Sequence, residues 1–220
     1  KEYDLDMEEE ITIIDTNTRN EKIINFFKKN KKNIIIIFLT TLILLVGYFS
    51  LNELKKINKI KLGNEFNNAT LTFKNEKKEK TINTLIGIIK KQDRTYSPLA
   101  LYFLLDNNLI ENKSEINNLF NILIDKTNLE KEIKNLIIYK KALYNSNFVD
   151  ENELINLLNP IINSESIWKS HALYFMGEYF FSKNKKENAK EYFQAILILE
   201  NANQNIKVEA QKRLNRDLGE

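Results

Sequence analysis

Ser170–Asn203 reads SHALYFMGEYFFSKNKKENAKEYFQAILILENAN, two apolar stretches of helical period on either side of the polar joint Lys183–Lys186. With Ser170 counted as position one, Leu173, Met176, Gly177 and Phe180 stand at positions four, seven, eight and eleven. Ala189, Phe193 and Ile196 follow at twenty, twenty-four and twenty-seven. Spacings of three and four residues put each set on one side of a helix. Two helices joined by so short a turn pack against each other, and a close crossing needs small residues where the backbones meet. Gly177 and Ala189 meet that need, and Phe180 and Phe193 fill the space beside the crossing.

Working back toward the N-terminus, apolar helical stretches alternate with short polar joints. Helices are expected over Lys77–Lys91, Pro98–Asn107, Ser114–Lys126, Glu130–Tyr144, Glu151–Leu158, Ser166–Ser182, Lys186–Leu199 and Ile206–Leu218. Three starts have a local reason: Ser97 before Pro98, Ser114 at an N-cap position, and Asp150 three residues ahead of Glu153 in capping-box spacing. First helices of successive pairs begin near Lys61, Tyr96, Glu130 and Ser166, about every 35 residues, and two antiparallel helices repeating every 34 residues are the signature of tetratricopeptide solenoids. The pattern departs from that motif at Leu173, where tryptophan is usual, and at Asn201, where proline is usual. Only five glycines and two prolines occur, which argues against turn-rich β-sandwiches and barrels. Abundant asparagine is ascribed to coding bias and treated as filler.

Further upstream, Ile34–Leu51 reads IIIIFLTTLILLVGYFSL, eighteen residues without a charge. As a helix it is about 27 Å long, close to the roughly 30 Å hydrocarbon core of a bilayer. Thr40, Thr41 and Ser50 are its only hydroxyl-bearing residues, and a helix can bond such groups back to its own carbonyls. No polar stripe marks it as a buried core helix, and it is too long for a cleaved signal segment. Six bases precede it (Arg19, Lys22, Lys28, Lys29, Lys31, Lys32) and four follow (Lys55, Lys56, Lys59, Lys61), so the N-terminus is expected on the cytoplasmic side. The basic stretch Arg19–Lys32 places Ile23, Ile24, Phe26 and Phe27 together as an amphipathic lead-in at the membrane surface, and Lys1–Asn17 is expected to be an acidic, mobile tail. The expected architecture is all-α: residues 1–33 as tail and lead-in, 34–51 as transmembrane helix, and 52–220 as a tetratricopeptide-like α-solenoid of antiparallel helix pairs.

Little chemistry is legible. His171 is the only histidine, there is no cysteine, and the five glycines are isolated, so no catalytic, metal-binding or nucleotide-binding residue is expected. Lysine runs such as Lys74–Lys80 interleave with glutamate, which excludes a nucleic-acid footprint. The expected role is binding.

The acidic-then-basic lead MEEEITIIDTNTRNEKIINFFKKNKK, the span, and IWKSHALYFMGEYFFSKNKKENAKEYFQAIL together resemble a family of bacterial inner-membrane proteins, that of the ancillary SecYEG translocon subunit. The resemblance implies a single-pass protein with a periplasmic domain and no enzyme activity, cofactor or small-molecule substrate. It implies contacts with the lipid bilayer, translocon subunits, periplasmic chaperones and exported chains. In proteins of this kind, positions two, five, nine and twelve of each first helix line a groove, which here are His171, Tyr174, Glu178 and Phe181. The competing expectation is that Tyr174 and Phe181 pack against the preceding pair, Glu130–Leu158. A scaffold in another envelope assembly, such as division or cytochrome maturation, is the alternative function.

Overall fold

The computed structural model describes residues 2–73 and 78–219, with side chains from residue 19 onward, so the side chains of the expected tail lie outside the described residues. Helix α1 runs Glu2–Leu71 without interruption and takes in both the lead-in and the span. Among the described residues it is the one helix long and apolar enough to cross a membrane, and none of its apolar window is buried. Thr40 and Thr41 donate to the carbonyls of Ile36 and Ile37 at 2.8 and 2.9 Å, as expected for hydroxyls that must find a partner inside their own helix.

The chain divides into Lys1–Ile60 and Lys61–Glu220. In the second unit the end of α1 is followed by α2 (Lys78–Lys90), α3 (Tyr96–Asp106), α4 (Lys113–Asn121), α5 (Lys131–Asn145), α6 (Glu151–Ile162), α7 (Lys169–Ser182), α8 (Lys186–Leu197) and α9 (Gln204–Asp217). All regular structure among the described residues is helical. Neighbours α5–α6, α6–α7, α7–α8 and α8–α9 pack together, and α7 also meets α9. One apolar cluster runs from Leu62 to Ile137 and a second from Ile138 to Leu214; they adjoin on α5, and Ile124 touches both.

Hydrogen bonds recur at one-repeat separation. Ser166 donates to Glu132 34 residues away, Lys185 to Glu151 at 34, the Asn203 amide to Ser170 at 33, and Arg213 to Glu178 at 35. The period read from the sequence is therefore the register in which neighbouring pairs are bonded.

Several helix ends differ from expectation. The Asp93 carboxylate accepts from the amides of Thr95 and Tyr96, so α3 begins at Tyr96, and the Ser97 hydroxyl instead donates to the Ile88 carbonyl. Asn112, not Ser114, caps α4. Beyond Asn121 that helix widens into a π-turn, Ile122–Lys126, closed by the Thr127 amide on the Ile122 carbonyl, with Leu123 fully buried. α6 continues through Pro160 to Ile162, and Asp150 caps it through the Glu153 amide as expected.

Asparagine is structural here rather than filler. Asn108 and Asn184 adopt positive φ at the ends of α3 and α7, where the following amides of Leu109 and Lys185 bond back to Leu104 and Phe180. Glycine usually takes this left-handed position, and asparagine is its ordinary substitute in a glycine-poor chain. Asn203 caps α9, and Asn117 and Asn145 bond amide to amide between α4 and α5 at 2.8 and 3.0 Å.

The expected crossing is present: a Cβ on Gly177 would lie 2.6 Å from Cε1 of Phe193, whose ring is fully buried. Gly177→Ala should gain about 1 kcal/mol of helix propensity yet lose about 1–3 kcal/mol to overpacking. Thermal unfolding of the full chain should show a net loss, relieved when Phe193→Leu is added.

Candidate functional site

Burial shows which first-helix positions are equivalent. Moving α5 by 35 residues carries its buried Asn135, Ile137, Ile138, Ala142 and Asn145 onto Ser170, Ala172, Leu173, Gly177 and Phe180, all buried on α7. Moving α3 by 37 carries Pro98, Ala100 and Leu101 onto Asn135, Ile137 and Ile138. The second groove position is then Leu99, Leu136 and His171 in the three helices, and the fifth is Tyr102, Tyr139 and Tyr174. Each of these three helices, though not the one beginning near Lys61, carries a tyrosine at the equivalent position; the 35-residue period, applied backward from His171 and Tyr174, reaches Leu136 and Tyr139 directly.

Of the four expected residues, three come together around an unexpected one. Arg213 on α9 grips the Glu178 carboxylate with two of its nitrogens, the Nε at 2.6 Å, and bonds Asp217 at 2.7 Å. Its guanidinium lies 5.0 Å over the Phe181 ring, and the Tyr174 hydroxyl feels the same pair: burial and the Glu178 carboxylate push its pKa up, while Arg213 pulls it down. Tyr174 also packs on Phe193 at 5.4 Å. The carboxylates of Glu178 and Asp217 hold the Arg213 proton more firmly than usual, and the two arginines beside Asp217 keep its carboxyl well below the ordinary range. The partners of Tyr174 and Phe181 thus come from the following helices α8 and α9. The side chains of α7 that turn to the preceding pair are Trp168, His171 and Phe175, all around Tyr139.

His171 stands apart from the other three. Its ring is 5.1 Å from Trp168 and 6.3 Å from Tyr139, and Trp168 stacks on Tyr139 at 6.1 Å. Its Nδ1 is buried without a partner, and burial lowers its pKa, opposed by the Ile167 carbonyl. A neutral, half-buried imidazole in an aromatic setting follows from this placement.

Between α3 and α5 lies a hollow of about 380 Å³ lined by Pro98, Leu99, Tyr102, Ile133 and Leu136. Leu99 is 42% and Ile133 40% exposed, while the Tyr102 hydroxyl is buried without a partner. Burial, with Asp106 adding to it, pushes the Tyr102 pKa up to about 12, so the hydroxyl stays protonated. The Lys140 ammonium sits 4.8 Å over the Tyr102 ring. Leu129 completes the apolar floor, and Arg94, Thr95 and Glu130 stand at its rim, so the hollow suits an apolar segment with polar flanks. Among the described residues, no three acidic, histidine or cysteine side chains gather as metal ligands do.

Among the described residues the fold is all-helical, with hydrogen bonds between helices about 35 residues apart and one helix long and apolar enough to cross a membrane. Among curated proteins the chain is similar to the ancillary SecYEG translocon subunit of Buchnera aphidicola, with 25% identity over 179 residues, covering 79% of this chain and 89% of that protein. No family model matches the chain. No solved structure matches it.

Proposed function

We propose that this protein is a membrane-anchored, tetratricopeptide-like binding module accessory to the secretion translocon, acting by contact rather than catalysis and without a cofactor. Its N-terminus lies in the cytoplasm and Lys61–Glu220 in the periplasm, where the first-helix row receives segments of exported chains or chaperones. The observation that carries the binding reading is the hollow between α3 and α5, with its exposed apolar pair Leu99 and Ile133. The translocon assignment is supported by the similarity to a translocon subunit over most of both chains. His171, Tyr174, Glu178 and Phe181 extend the row toward α9, where Arg213 covers the last three.

Leu99→Asp with Ile133→Asp tests the row, because both positions are exposed enough to accept a carboxylate without unfolding the helices. Photo-crosslinking of the full chain in intact membranes should show translocon subunits as dominant adducts, and the double variant should lose at least ten-fold in yield of adducts to exported chains with unchanged helical signal. Unchanged yield would remove the groove from the mechanism. Adducts dominated by another envelope assembly would favour the scaffold reading instead.

A further inference from the structure

We propose a second docking surface, distinct from the first-helix row, on the loops before α7 and α9, which takes a cationic amphipathic segment of a partner protein. Ile198 is 82% exposed, the highest value for a large apolar residue among the described residues, and Ile167 is 66% exposed. Single exposed apolar residues are ordinary, but these two, with Leu199, line one hollow of about 470 Å³.

Both loops are pinned, so the exposure does not come from slack backbone. The Ser166 hydroxyl and the Ile167 amide donate to one carboxylate, Glu132, at 2.7 and 3.2 Å. The Trp168 amide donates to Ser166, and the Asn203 amide to the Ser170 hydroxyl, at 3.1 and 3.3 Å. The Lys207 ammonium holds the Leu199 carbonyl at 3.4 Å. A preformed apolar pair binds without the cost of ordering a loop.

The rim selects the occupant. Glu165 on one loop and Glu200 on the other line the hollow, and neither has an ion-pair partner among the described residues. Lys169 is the single cation on the lining and Lys207 stands behind Leu199; against these two cations are three carboxylates, Glu165, Glu200 and the Glu132 that holds the loop, which leaves one net negative charge. A second copy of this chain would bring the same two carboxylates face to face, and an anionic lipid surface would be repelled. An apolar segment flanked by lysine or arginine satisfies both the isoleucines and the rim. No tyrosine of the first-helix row lines this hollow.

Trp168, the only tryptophan, adjoins Ile167 and reports on the site. The full chain in dodecyl maltoside is titrated with a capped leucine–lysine decapeptide and with the leucine–glutamate decapeptide of the same pattern. The lysine peptide should shift Trp168 emission saturably and bind at least ten-fold more tightly than the glutamate peptide. Ile167→Ser with Ile198→Ser should weaken it ten-fold, and Glu165→Lys with Glu200→Lys should reverse the preference. Equal response to the two peptides, or retained affinity in the isoleucine variant, would each overturn the proposal.

Discussion

Phe193→Ala should cost about 3–5 kcal/mol, the upper range for a single core truncation. The ring is fully buried, lies against the Gly177 backbone, and packs on Tyr174 at 5.4 Å, so truncation opens a cavity at the crossing of α7 and α8. Its neighbours cannot close that cavity easily, because Gly177 has no side chain to move into it and Ala189 is already fully buried. Midpoint temperature by circular dichroism should fall on the order of 10 °C. Hydrogen exchange should quicken first in α7–α9, the helices around Phe193, and Phe193→Leu should lose far less. A midpoint within 3 °C of the wild type would show that the crossing is not the core of this repeat.

Leu42→Arg with Leu45→Arg should release the chain from the membrane. The residues lie near the middle of Ile34–Leu51 and are 47% and 49% exposed, so they make no core contact that the change would break. Each arginine near the centre of a spanning helix costs about 2.5–3.5 kcal/mol on insertion scales, and the pair about twice that. Alkaline carbonate should leave wild-type protein in the membrane pellet and extract the variant. Retention of the variant would mean that Ile34–Leu51 does not span the bilayer.

Most of the fold was legible because it rests on local pattern. The charge-free run, the apolar spacing of three and four, and the small residues at Gly177 and Ala189 each report on one helix or one crossing. Helix ends were less legible, since several side chains compete for each free amide: Asp93 and Asn112 cap helices where serines nearer the expected starts also qualified. Asparagine was misread for a related reason. Its left-handed placement at Asn108 and Asn184 depends on the chain turning there, which composition does not reveal.

The candidate site was legible only as a spacing. His171, Tyr174, Glu178 and Phe181 share a helical face, but that face does not disclose that Arg213 closes over three of them while His171 turns to Tyr139. Sequence alone determined the anchor, the all-helical repeat and the tight crossing, because each depends on residue size and period within a few turns of chain. Only the tertiary structure decided which positions remain open, as at Leu99, and which are covered, as at Glu178. That choice depends on how helices some 35 residues apart are rotated against one another, and no local period encodes that rotation.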